Sequence, residues 1–304
     1  MLKAIVDYYK RPRPIDWPKE FANDNPLELE IGFGTGEYIV EAALQNPGRN
    51  FIGIEKEWER IHKTLRKIAR AKATNVRVIN VDAQVALERL IGSKQLAGAL
   101  CLFPCPWPKR KHTWHRLFST EFLKLTNSRL QSQGSLKIVT DHRPYADWIL
   151  EQVPGTGFSA QENQIGARFN TKFERKWREQ GQQEFYEIFL TKKRHQDMAL
   201  KREVSLKRYY FKDFNPRGFA FENLVGPTTI SFKELLYDET QKKAMLRLFV
   251  VEDQLTQDVW LEIYWHNQKW CLQAAPGTLV LPTEGVAAAL ERAYQAAIGG
   301  KKDS

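Results

Sequence analysis

The sequence predicts an α/β fold built on a mostly parallel sheet, followed by a small α+β domain. Three observations predict it. Short apolar segments alternate with amphipathic ones from residue 27 to about 153, a glycine-rich turn ("GFGTG") joins the first such pair, and the pattern changes after a basic stretch at 193–218. Strands that alternate with helices need a crossover each time, which gives parallel pairing and covers both faces of the sheet.

The elements follow in order. Residues 1–26 carry four prolines and no sustained periodicity, and read as a flexible N-terminal arm. "LELEIGFG" is a strand running into a turn, and "EYIVEAALQ" is the helix after it. "NFIGIE" is a second strand, followed by the amphipathic helix "WERIHKTLRKIARAKA". "NVRVINVDA" and "QVALERLI" form the third pair, and "LAGALCLFP" and "HRLFSTEFLKLTNSRLQ" the fourth. "GSLKIVTD" and "RPYADWILEQV" form the fifth, and "GFSAQEN" with "EFYEIFLTKK" reads as an antiparallel closing pair. The first domain is thus expected over 27–192, with a basic linker at 193–218. Beyond it, "TISFKELLYD", "KAMLRLFVVED", "DVWLEIYWHN" and "KWCLQAA" are aromatic and β-branched strands. "TEGVAAALERAYQAAI" closes the chain as a helix with Thr283 as its N-cap, completing a small α+β domain at 219–304.

Composition narrows the class of function. No apolar run reaches the length of a membrane span, and the first twenty residues lack an export signal. Three cysteines are too few for a disulfide framework, so a cytoplasmic protein is expected. The net charge of +10 is unevenly placed. Residues 219–304 hold 8 Lys/Arg against 11 Asp/Glu, residues 191–218 hold 9 against 3, and 1–190 carry the remaining +7. A basic first domain and exit favour a polyanionic partner such as nucleic acid.

The glycine turn indicates what the first domain binds. Gly32, Gly34 and Gly36 stand between a strand and a helix, where the backbone can approach a ligand closely. A dinucleotide fingerprint would need glycine at position 37, and Glu37 stands there. Glu30, just before the first glycine, would repel a pyrophosphate but suits an ammonium group. Glu55 closes the second strand, where a carboxylate can accept both ribose hydroxyls, and Asp82 follows the third, near an adenine. A ribose, an adenine and a cationic amino acid without phosphate describe S-adenosylmethionine.

The segment after the fourth strand lies next to such a donor and should meet the acceptor. It reads "FPCPWPKRKHTWHRL", with Lys109, Arg110, Lys111 and Arg116 within eight residues, a pattern that favours phosphate contact. Three other readings attach to it. Cys101, Cys105, His112 and His115 could form a zinc site, although His112 and His115 are spaced more tightly than usual. Cys105 could be a nucleophile with its pKa depressed by Lys109 and Arg110. Trp107 reads as loop packing, while Trp114 is either packing or a base-stacking surface.

At these residues the chain resembles the bacterial tRNA (guanine-N7-)-methyltransferases. "LEIGFGTGE" at 29–37, "FPCPWPKRKH" at 103–112, "TDHRPYADWIL" at 140–150 and "TKFERKWREQG" at 171–181 match that family's motifs in order over about 150 residues. The resemblance implies a Rossmann-like class I fold that uses S-adenosylmethionine and methylates N7 of a guanosine in tRNA. Guanosine 46 of the variable loop is the expected target, with no metal involved. Glu30, Gly32, Gly34, Gly36, Glu55 and Asp82 correspond to the donor site. Lys109, Arg110, Asp141, Thr171, Lys172, Phe173 and Glu174 correspond to the substrate site, and Asp141 is also a catalytic candidate. One position departs: the family's aspartate, a donor-site and catalytic residue, is Cys105 here. The alternative to an active enzyme is a tRNA-binding homologue that keeps the fold with weakened or lost catalysis. The C-terminal domain lies outside the part common to the family.

Overall fold

The computed structural model describes residues 2–169, 171–179, 181 and 184–299. The chain divides into two compact units, residues 1–200 and 201–304.

The first unit is a seven-stranded sheet. Its strands are β1 (Leu27–Ile31), β2 (Asn50–Glu55), β3 (Val76–Asn80), β4 (Leu96–Leu102), β5 (Leu130–Thr140), β6 (Phe158–Gly166) and β7 (Glu184–Lys192), in the order β3-β2-β1-β4-β5-β7-β6. The first five pair in parallel, and β7 lies antiparallel between β5 and β6. All six residues of β2 are buried, as expected of a central strand covered on both faces. Strand order reverses between β1 and β4, and ligands in such sheets bind beyond the carboxyl ends of the strands at that point.

The helices of this unit are α1 (Trp17–Phe21), α2 (Glu37–Gln45), α3 (Trp58–Ala71), α4 (Ala83–Arg89), α5 (Thr120–Arg129), α6 (Arg143–Gln152) and α7 (Lys172–Glu179). Ile39, Val40 and Ala43 of α2 and Ile61, Leu65 and Ile68 of α3 bury against Phe51, Val76 and Val78. The fourth helical segment is expected to run on through "RLQ". Instead α5 stops at Arg129 and β5 begins at Leu130.

The N-terminal residues expected as a flexible arm are packed instead. Ile5 bridges Val78 at the β3 edge, the Val6 N–H donates to the Val78 carbonyl at 2.9 Å, and the Ile15 N–H donates to the Leu90 carbonyl at 2.9 Å. Trp17 is fully buried, and the Arg77 guanidinium lies over the Phe21 ring. The prolines interrupt periodicity here without preventing burial of single apolar anchors.

The second unit is a five-stranded antiparallel sheet of β8 (Tyr209–Phe211), β9 (Thr228–Asp238), β10 (Lys243–Glu252), β11 (Leu255–His266) and β12 (Lys269–Ala274), in the order β8-β12-β11-β10-β9. Burial alternates along β10, and its buried residues join Val259, Leu261, Leu272 and the apolar stripe of α8 (Glu284–Gly299) in one core. The Thr283 hydroxyl accepts from the Val286 N–H at 3.3 Å, a capping contact at the start of α8. Strand β8 comes from the stretch expected as linker, so the second unit starts earlier than residue 219.

Candidate active site

The glycine turn leaves β1 with Gly32, Gly34 and Gly36 all at positive φ, at 72°, 57° and 76°. A Cβ at Gly36 would stand 2.4 Å from the Thr64 side chain, so α3 also requires glycine there. No neighbour crowds Gly32 or Gly34, and at those positions the backbone conformation alone selects glycine. The N–H groups of this turn are largely used within the protein. Those of Gly32 and Phe33 donate to the Ile54 carbonyl, that of Gly34 to Glu55 Oε2 at 3.1 Å, and that of Gly36 to the Phe33 carbonyl. A phosphate cradle needs such donors free, so the turn is suited to a ligand that carries none.

Three carboxylates stand at successive strand ends around this turn. Glu30 is 5 % exposed and its Oε2 has no hydrogen-bond partner. Burial, followed by repulsion from Glu37 and Glu55, pushes its carboxyl up to about 8. Glu55 is held firmly: beyond Gly34, its Oε1 accepts from the N–H groups of Lys56 and Glu57 at 2.9 and 3.1 Å. Asp82 caps α4 through an Oδ1 contact with the Gln84 N–H at 2.8 Å, and Lys56 lies 3.2 Å from its Oδ2.

The acceptor segment leaves β4, whose Ile31↔Cys101 pairing sets it directly beside β1. Phe103 and Trp107 both take positive φ, at 53° and 43°, a costly backbone state for bulky residues that recurs at functional loops. Cys105 is exposed in this loop, whereas Cys101 is buried on β4. Burial, then the Glu30 and Glu55 charges, raises the Cys101 thiol far above its ordinary range, which makes it an unreactive core residue. Among the described residues, no three His, Cys, Asp or Glu side chains are grouped to hold a metal ion. His115 instead packs against both Trp107 and Trp114, with ring centroids at 4.6 and 3.4 Å and the rings tilted by 30° in each pair.

The basic residues of the loop divide into two groups. Lys109, Arg110 and Lys111 are exposed. Arg116, counted with them from sequence, turns to the protein: its Nε donates to the Pro106 carbonyl at 3.0 Å, and its guanidinium covers the rings of Tyr145 and Trp148. Arg116 therefore braces the loop against α6. Trp114 is 73 % exposed and offers an open ring face beside the cations.

Asp141 follows β5, adjacent to β4 in the sheet, so it rises from the same edge as Cys105. Thr171 and Glu174 of the "TKFE" motif have a local role that sequence reasoning missed. The Glu174 N–H donates to the Thr171 hydroxyl at 3.1 Å. The Glu174 carboxylate, 2 % exposed, accepts from the N–H groups of Arg168 and Phe169. Thr-x-x-Glu is a capping-box pattern, and that spacing was the available signal. The side chains of Lys172 and Phe173 lie outside the described residues. Arg175 of α7 stands 3.9 Å from Glu37 at the start of α2, bringing this motif beside the glycine turn.

Comparison with known proteins fits this geometry. A family model described as "Putative methyltransferase" matches residues 24–187. A tRNA (guanine-N(7)-)-methyltransferase of Chlorobium phaeobacteroides is 43% identical over 169 residues, covering 56% of this chain and 83% of that protein. The chain belongs to the tRNA (guanine-N(7)-)-methyltransferase family. A second member of the family, from Thermus thermophilus, is 31% identical over 261 residues, covering 81% of this chain and 82% of that protein. An alignment of that length exceeds the first unit, so this methyltransferase shares at least part of its C-terminal unit with a relative.

Proposed function

We propose that the protein transfers a methyl group from S-adenosylmethionine to N7 of a guanosine in tRNA, at position 46 of the variable loop, in the cytoplasm. The observation that carries the reading is the buried Glu30 carboxyl, whose Oε2 has no partner, beside a glycine turn whose N–H groups are largely used. A cationic amino-acid group satisfies that oxygen, and a phosphate would not. S-adenosylmethionine supplies an electrophilic methyl on a sulfonium. Glu30 holds its ammonium, Glu55 its ribose hydroxyls, and Asp82 lies at its adenine.

Guanine N7 is nucleophilic while neutral, so no residue must first remove a proton. The protein's contribution is to position the base in line and to stabilise the charge it acquires. Asp141 is the available carboxylate for that charge, because Cys105 stands where the family has its aspartate and carries no carboxylate. Outright loss of one such partner typically costs about 10²–10³ in rate, and Asp141 offsets most of that loss here, which leaves a working enzyme. Lys109 and Arg110 hold phosphates flanking the guanosine. Thr171 and Glu174 act as positioning residues through the loop that they cap, with Lys172 and Phe173 on the same motif.

The test uses labelled donor and two unmodified tRNA transcripts, one with guanosine and one with adenosine at position 46. Incorporation into the first alone is expected. Equal incorporation into both would refute the assignment of position 46.

A further inference from the structure

The C-terminal unit carries a second cleft, remote in sequence from every residue assigned above. It encloses about 420 Å³ and is lined by Arg208, Tyr210, Tyr264, His266, Asn267 and Lys269. That volume lies in the range of pockets that take small organic ligands.

The sheet register explains the grouping. Tyr210 of β8 pairs with Cys271 of β12, and Cys271 pairs with Tyr264 of β11. Directly paired residues project from the same face, so the two tyrosines flank Cys271 across two strand spacings, about 10 Å. Cys271 between them is 1 % exposed, while Tyr210 is 58 % exposed. His266 pairs with Lys269 at the end of the β11–β12 hairpin, whose turn residues Asn267 and Gln268 take φ of 47° and 60°. Two residues at positive φ make a tight hairpin turn, which holds Lys269 and His266 at the cleft mouth.

The chemistry of the lining is one-sided. Arg208 and Lys269 are cationic, and none of the six residues is acidic. Glu262, two residues before Tyr264 on β11, is buried and engaged by Lys243 at 2.7 Å and by Gln273 at 2.7 Å. Tyrosine rings and cations that line one cleft with no acidic side chain among them provide the components of a stacking site for single-stranded nucleic acid. The groove bounded by Gly218, Glu222 and Arg292 has no aromatic wall, and Arg292 donates to the Glu222 carbonyl.

We propose that this cleft binds an unpaired nucleotide of the tRNA substrate, its base stacked on Tyr210 and Tyr264 and its phosphate between Arg208 and Lys269. The proposal rests on tRNA being the substrate but not on the methyl-transfer step. It assigns the C-terminal unit a recognition role through a few residues, although residues 219–304 are acidic in sum.

The test measures tRNA binding by the full-length protein without donor, alongside methylation kinetics. Stacking is typically worth 1–3 kcal/mol per base, so Tyr210→Ala should weaken tRNA binding by about tenfold, raising KM with kcat held. Tyr210→Phe should restore most of the affinity. Lys269→Ala should lower the dependence of log Kd on log salt by about 0.7, the value for one phosphate of a single strand. Affinity within twofold of wild type for both Tyr210→Ala and Lys269→Ala would overturn the proposal. So would a Tyr210→Phe variant as weak as Tyr210→Ala, or binding of free guanosine monophosphate in the cleft with tRNA affinity unaffected by these changes. Tyr210-dependent tRNA binding without any 7-methylguanosine would support this contact while refuting the proposed reaction.

Discussion

Replacing Glu30 with glutamine separates donor binding from folding in one residue. Its carboxyl, ordinarily near 4.5, is pushed up to about 8 by burial and by the charges of Glu37 and Glu55, and no protein group satisfies Oε2. Each tenfold displacement of a protonation equilibrium is worth about 1.4 kcal/mol, so ionising Glu30 inside the fold costs about 4–5 kcal/mol. The sign follows from linkage. Between pH 4.5 and about 8 the folded protein holds a proton that the unfolded chain has lost, so donor-free stability falls as pH rises through that window. Glu30→Gln removes this slope and makes the donor-free protein more stable than wild type at pH 8.5, by about 2–4 kcal/mol after relaxation of the site. Donor binding should respond in the opposite sense. A bound ammonium favours the ionised carboxylate, so wild-type affinity for S-adenosylmethionine or its demethylated product rises from pH 6 to pH 8, with proton release. The variant should bind at least tenfold more weakly, because a buried charge-assisted contact is lost. Thermal unfolding across pH, with calorimetric titration in two buffers of different ionisation enthalpy, reads both effects. Equal donor affinity in the two proteins, or no proton release from wild type, would refute the role of Glu30.

Other substitutions test separate parts of the account. Cys105→Asp should raise kcat modestly, by less than about tenfold, because Asp141 already supplies a carboxylate at that edge of the sheet; activity appearing from none would favour the catalytically inactive alternative. Lys109→Ala and Arg110→Ala should each reduce the salt slope of tRNA binding by about 0.7–0.9, and an unchanged slope would remove them from the phosphate path. Trp17→Ala should cost about 3–5 kcal/mol of stability in denaturant titration, since the side chain is fully buried; a loss under 1 kcal/mol would mean that the N-terminal segment is dispensable to the fold.

The parts of the structure legible from sequence are those in which local pattern and tertiary role agree. Strand-helix alternation gives the parallel sheet because each strand needs a crossover to reach the next. Three glycines spaced by two give the turn because each takes positive φ. Glu30, Glu55 and Asp82 are readable because the ends of successive parallel strands converge at one edge. What was not legible depends on single long-range contacts. Ile5, Ile15 and Trp17 show no periodicity, and only the β3 edge and the Leu90 carbonyl reveal that they are anchored. Strand β8 is three residues long and sits among basic residues, so its pairing with β12 decides its state. Arg116 looks like its neighbours in the sequence, but Tyr145 and Trp148, about thirty residues later, draw it away from solvent. Glu174 resembles a substrate ligand until the N–H groups of Arg168 and Phe169 take up its carboxylate.

The most direct test of the central claim is nucleoside analysis of unmodified tRNA after incubation with the wild-type protein and S-adenosylmethionine. The account predicts 7-methylguanosine that accumulates with turnover despite cysteine at position 105. No 7-methylguanosine above background, from protein that still binds the tRNA and the donor, would contradict it.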